Sequence, residues 1–246
     1  MAMKKKKKLV IPHEHGGWAM VSVPFLTGMA VAAPQWIHAP LFIGWLLLYL
    51  ASYPLLQAVK RASNRAYMMK WGAGYALGAL ACLIVPLIDC PQLTYFGIPL
   101  VALLAVNVWH SKRKTERALL NDLCAIVSFS LAAAAAYLAG GGEWGAKMAA
   151  LAAFNSIYFM GTAFFVKAVF RERQNPRWTA YARIYHLSAL IVPLALGSPL
   201  MTIPFVFPAL RAFVYAGKAM RPAKVGIMEI VGALQFLILT VLLFPR

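Results

Sequence analysis

Side chains able to do chemistry are scarce in this chain, and most fall in three groups set among long apolar runs. Tyr49, Tyr53, Gln57, Lys60 and Asn64 are spaced four, four, three and four apart, so in a helix they share one face. Asn155, Tyr158 and Thr162 form a second stripe, which ends in Lys167, Arg171, Glu172 and Arg173. Arg117, Asn121 and Asp122 stand at the start of another apolar run that continues through Ser128. Polar groups in an apolar medium face the protein interior or a water-filled cavity. The stripes therefore predict a polar cavity at one face of the membrane, walled by the segments that carry them. Lys60, Arg61, Lys167, Arg171 and Arg173 at its rim could hold an anionic headgroup, because arginine binds phosphate oxygens in pairs. The competing reading is interhelical hydrogen bonding plus cations that only fix orientation.

His13-Glu14-His15-Gly16-Gly17-Trp18 is the most distinctive local string. Imidazoles flanking a carboxylate suit Zn, Cu or Fe, but no third or fourth ligand stands near, so no metal and no cofactor is expected. Glu14 could instead pair with a cation at the cavity mouth, or the segment could simply cap the first helix. Glu229 lies about one turn into the last apolar run and is expected to meet a cation such as Arg211, because a lone buried charge is costly. His186 and Asn107 read as contacts between helices. Cys82, Cys90 and Cys124 follow no metal or disulfide spacing.

The elements that must position these groups follow from hydropathy. The charged fraction is 13% and the hydrophobic fraction 62%, more apolar surface than an aqueous core can hide, so lipid is the solvent for much of it. Apolar runs cover approximately 18–33, 36–59, 71–89, 95–110, 119–140, 145–170, 181–197, 199–216 and 225–245. Turn chemistry separates them at Pro34, Asp89-Cys90-Pro91, Gly140-Gly141-Gly142, Asn175-Pro176 and Gly197-Ser198-Pro199. The fourth run is short and the eighth holds Pro204 and Pro208, so these two are the weakest spans.

A net charge of +17 could suggest nucleic acid, but the cations are clustered between apolar runs instead of along a water-soluble face. Of 24 basic residues, all but Lys147 and Arg246 fall on one side of a nine-span arrangement. The positive-inside rule makes that side cytoplasmic. The expected architecture is all-α: a polytopic membrane bundle of about nine helices, one domain over 1–246. Residues 1–17 form a basic cytoplasmic segment, and the first helix is retained, not cleaved as a signal peptide.

Two resemblances follow from particular strings. Ile11-Pro12-His13-Glu14-His15-Gly16-Gly17-Trp18 with Pro24-Phe25-Leu26-Thr27-Gly28 resembles the opening of the YwiC-like family of bacterial membrane proteins. Glu116-Arg117 with Asn121-Asp122, and Tyr158-Phe159 through Arg171-Glu172-Arg173, resemble that family as well, which implies a bacterial inner membrane and a topology more than an activity. More distantly, nine helices with functional ends on the second and sixth resemble the UbiA-type intramembrane prenyltransferases. That resemblance implies Asp-rich Mg²⁺ sites at those ends, but the chain has Gln57 through Asn64 and Lys167 through Arg173 there, without the aspartates.

The functional expectation is a membrane protein whose partners are lipids, binding an anionic or isoprenoid-type amphiphile in a basic cavity open to the cytoplasm. Alternatives are a metal-independent transferase using Glu14, Asp122 or Glu172 as acid or base, a small transporter, or an accessory subunit of a membrane complex.

Overall fold

The computed structural model describes residues 9–12, 15–60 and 62–245, apart from the side chains of His15 and Ala62. Each expected apolar run overlaps one α-helix, although α3 begins at Arg65 and α7 at Pro176, six and five residues before their runs. In order these are α1 (His15–Val31), α2 (His38–Lys60), α3 (Arg65–Asp89), α4 (Gly97–Lys112), α5 (Leu119–Ala139), α6 (Ala146–Val169), α7 (Pro176–Ala195), α8 (Ile203–Tyr215) and α9 (Pro222–Leu243). Among the described residues there is no strand. Six helical segments are long and apolar enough to cross a membrane: α2, α3, α4 with its lead-in, α5, α6 and α9. α1 is shorter, and α7, long enough at 20 residues, carries Arg177 and Arg183 and is less apolar.

The helices of the two runs that looked weakest are preceded by the same device, which completes a span only in the first. A 3₁₀ turn, Pro91–Phe96, leads directly into α4, extending it to a 22-residue segment. A second 3₁₀ turn, Pro199–Thr202, leads into α8. Proline is tolerated in such first turns because its missing N–H has no partner there anyway. Pro208 lies inside α8, where it removes one hydrogen bond, and the segment stays short.

α1 lies at the centre, packed against α5, α9, α6 and α2. It approaches α5 closely because both helices are small there. A side-chain carbon built on Gly28 would fall only 2.0 Å from the Ala133 carbonyl oxygen, and α5 presents buried Ala132, Ala133, Ala134 and Ala136. Small residues at a crossing let helix backbones meet where lipid supplies no hydrophobic drive for association. α2 and α3 pair with each other, and α4 joins them; α6, α7, α8 and α9 pack in sequence on the other flank of the contact chain. The largest buried cluster joins Leu151, Phe154, Tyr158 and Phe159 of α6 to Phe205 of α8 and Phe236 of α9.

Candidate functional site

The polar stripe of α6 is buried throughout its apolar length. Asn155, Tyr158 and Thr162 are all shielded, and Lys167 follows at 9% exposure. Asn155 donates to Leu151 O at 2.9 Å within its own helix and to Thr27 Oγ1 of α1 at 3.0 Å. Thr27 passes the chain on by donating to Pro24 O at 2.7 Å. The α2 stripe also turns inward: Tyr49 packs edge-on against Trp18 of α1 and Phe129 of α5, and Gln57, two turns on, is half-buried. α2 and α6 both pack on α1 and α5, so the two stripes border the same central pair of helices.

At the basic end of the bundle, the connection between α4 and α5 reaches toward both stripes. α4 ends in a Schellman turn: Lys114 N–H donates to Ser111 O at 3.2 Å and Thr115 N–H to His110 O at 2.9 Å. Lys114 occupies the left-handed position of that motif with φ 57°, the place where glycine is usual. Thr115 Oγ1 lies 2.8 Å from His110 Nδ1, which ties the turn to the helix it ends. The reversal brings Glu116 to Lys60 at the end of α2, with Nζ 2.7 Å from Oε1. Asn121 donates to Glu116 O at 2.8 Å. Lys167 of α6 meets Asp122 Oδ2 at 2.7 Å and donates to Arg117 O at 2.7 Å, with Trp178 of α7 beside its ammonium.

The predicted rim therefore divides in two. Lys60 and Lys167 are engaged by carboxylates of the α4–α5 connection and α5. Lys60 holds the Glu116 carboxyl below the usual carboxylate range, chiefly by its hydrogen bond, against an opposing effect of burial. Arg117, Arg171 and Arg173 are exposed, and among the described residues no carboxylate pairs with them. Glu172 is half-buried, accepts from Asn175 Nδ2 at 3.4 Å, and makes no ion pair with a described residue. His13, Glu14 and Arg61 lie outside the described residues, and His15 is described only as the first residue of α1.

Two cavities lie elsewhere. One of about 340 Å³ is apolar, lined by Phe25, Trp45, Leu83, Leu93 and Leu131 among others. A larger one of about 780 Å³ borders Tyr95, Trp144 and Met148, near the connections remote from the basic end. None of the predicted site residues lines either of these two.

A third polar group was only partly legible in the sequence. Arg211 of α8 and Glu229 of α9 form the ion pair expected from the cost of a lone intramembrane charge. Thr162 of α6 joins them, accepting from Arg211 Nη2 at 3.2 Å. Nothing in the sequence marked Phe165, whose ring lies 4.6 Å under the Arg211 guanidinium.

Similarity to known proteins agrees with the strings Ile11 to Trp18 and Pro24 to Gly28. Over residues 11–137, about half of its length, the chain matches the YwiC-like protein family. It belongs to that family. The Bacillus subtilis (strain 168) relative, an "Uncharacterized protein YwiC", is 34% identical over 97% of this chain and 100% of its own length. A Haemophilus influenzae relative, printed as an "Uncharacterized protein", is 34% identical over 94% of this chain and 97% of its own. No solved structure matches the chain. It is thus a multi-pass membrane protein of the YwiC-like family with bacterial homologues, and the UbiA-type resemblance is not shown.

Proposed function

We propose that this YwiC-like protein binds an anionic amphiphile, a lipid or isoprenoid with an acidic headgroup, from the cytoplasmic leaflet. The observation that carries this reading is the unequal pairing of the rim. Lys60 and Lys167 are neutralised by Glu116 and Asp122, whereas Arg117, Arg171 and Arg173 stay exposed without a carboxylate among the described residues. Arginines left over beside neutralised neighbours form a locally positive rim, and guanidinium forks match phosphate or carboxylate oxygens. The acyl or isoprenoid part would lie along the apolar outer faces of the bundle, where Phe170, Leu120 and Leu123 are exposed near the same end.

The reading includes nine spans in a bacterial inner membrane, with the N-terminus and all basic clusters on the cytoplasmic side. Short cationic connections alternating with nearly uncharged ones support it. Single cysteines introduced at positions 62 and 142 are expected to label from opposite sides in intact cells; labelling of both from the periplasm contradicts the orientation. A Mg²⁺-diphosphate chemistry of the UbiA type forms no part of the proposal, because the aspartate motifs are absent from the ends of α2 and α6, Glu116 and Asp122 are held by lysines, and Glu172 alone cannot replace two such motifs.

The direct test of the ligand class is mass spectrometry of molecules that stay with the protein through purification in mild detergent. Acidic headgroups should be enriched over their share of the membrane lipid. A bound population matching bulk lipid composition contradicts the proposal.

A further inference from the structure

Four helices bring polar side chains to one buried level of the bundle. Arg211 of α8 is 3% exposed, is paired with Glu229 of α9, and donates to Thr162 of α6. One turn before Thr162, Tyr158 is 2% exposed, with its hydroxyl against Gly232 of α9, where an added side-chain carbon would come within 2.8 Å of it. The charges of both Arg211 and Glu229 reach that hydroxyl. His186 of α7 lies against Gly161 of α6 and within reach of the Arg211 charge. Its Nδ1 is 2.7 Å from Ala182 O; a carbonyl accepts only, so Nδ1 carries the hydrogen and Nε2 of the neutral ring is an acceptor.

The hydrogen bonding of this level is incomplete. Among the described residues, Arg211 Nε, Tyr158 OH and His186 Nε2 are buried without a partner. Two of these, the guanidinium N–H and the phenol, are donors. Buried donors left unused are costly, and a purely structural ion pair gives no reason for leaving them so. A group rich in acceptor oxygens would satisfy them. Glu229 is the open edge of the site, since 17% of its side chain is accessible against 1% for Arg211. Arg211 stands four residues before the end of α8 at Tyr215, roughly 6 Å below the basic face of the bundle.

We propose that Arg211 is the inner binding site for the acidic headgroup, a phosphate or carboxylate, and that Glu229 is the group it displaces, taking up a proton as it leaves. This rests on the anionic amphiphile reading above and names the residue that receives its head. The charges balance. Before the exchange, Arg211 is paired with the Glu229 carboxylate. Afterwards it is paired with the ligand anion, and Glu229 is a neutral acid whose proton comes from the aqueous side. Leaving Glu229 ionised beside a second anion would place an uncompensated charge in a medium that strongly disfavours it. The titratable groups that reach Glu229 are Arg211 of α8 and Tyr158 of α6, with His186 of α7 one step further out, beside Arg211; α1 packs on α9 but brings none between Gly16 and Val31. Glu229 is therefore the carboxylate of the group. Of the seven acidic residues in the chain it is also the one placed well inside a helix; Asp89, Glu116, Asp122, Glu143 and Glu172 stand at helix ends or in connections, and Glu14 is outside the described residues.

The test is calorimetric titration of the full-length chain in uncharged detergent micelles, repeated in buffers of different ionisation heat so that protons are counted. The probes are dioleoylphosphatidylglycerol and, separately, inorganic phosphate. Wild type should take up about one proton for each phosphatidylglycerol bound, and Glu229→Gln should bind the lipid while taking up none. The same uptake with inorganic phosphate would show that the headgroup suffices, and uptake with the lipid alone would show that its tail is needed; both support the exchange. Lipid binding by wild type without proton uptake overturns this inference and leaves the surface reading standing, whereas no lipid binding by wild type overturns both. Equal uptake by wild type and a folded Glu229→Gln assigns the proton elsewhere and overturns the role of Glu229. If that variant fails to fold, the wild-type proton count still tests the exchange, since binding without uptake overturns it.

Discussion

The rim and the interior of this bundle both use cation–carboxylate pairs, under opposite conditions. Lys60 and Glu116 keep 27% and 32% of their side-chain surface, so water screens the pair and can replace either partner. Arg211 keeps 1%, and its partner Glu229 is held between helices. Lys167 and Asp122 stand between these limits at 11% and 28%. The same chemical contact should therefore range from a minor fastening to a requirement for packing, according to how much water can take the place of the lost partner.

The largest effect is expected in the interior. Replacing Arg211 with Met leaves the Glu229 carboxylate without its cation and should destabilise the bundle by about 3–5 kcal/mol, as should Glu229→Leu. The double variant should recover much of that loss, because an apolar pair of similar volume removes both desolvation costs. Unfolding in detergent with a chemical denaturant checks this. Single and double variants of equal stability would place this pair with the rim pairs and break the comparison.

At the intermediate pair, Lys167→Met removes the partner of Asp122 and a hydrogen bond to Arg117 O. A loss of about 1.5–3 kcal/mol is expected, the range for hydrogen bonds to charged groups. It should respond weakly to salt because Lys167 is largely buried. A loss that vanishes in high salt would move this pair to the exposed class.

The smallest effect belongs to Glu116. Its folded pKa lies below the unfolded value, so its contribution is present above the ordinary carboxylate range and is lost as pH falls through the depressed value. Wild type should show a modest fall in Tm below about pH 4.3 that Glu116→Gln reduces, with a difference at neutral pH of less than about 1 kcal/mol. The opposite slope, with Glu116→Gln gaining pH dependence, would contradict the assignment.

Much of this arrangement could be read from residue types. The apolar runs located the nine helices of the described residues, six of them long enough to cross a membrane, where a helix satisfies its own backbone over such lengths. The Arg211–Glu229 pair was legible because an isolated carboxylate in an apolar run demands a cation. The Lys60–Glu116 pair was not. It depends on a Schellman turn whose left-handed residue is Lys114, so the usual glycine signal for a chain reversal is missing. The sequence also gave no sign that Asp122 and Glu116 would take up two of the rim's cations. Contacts between segments about fifty residues apart have no local signature, whereas stripes along one helix do. The His13-Glu14-His15 expectation stays at the sequence level, since His13 and Glu14 lie outside the described residues.

What separates a ligand site from a topology signal at the rim is geometry, because the positive-inside rule counts lysine and arginine alike. Arg171 is the residue on which to ask, being exposed, at the end of α6, and unpaired among the described residues. The measurement is retention of phosphatidylglycerol by wild type, Arg171→Lys and Arg171→Gln, counted by native mass spectrometry from the same detergent. The account predicts graded loss, with Lys intermediate because an ammonium cannot reproduce the planar fork, and Gln lowest. Equal retention by all three would contradict it and reduce the rim to an orientation signal.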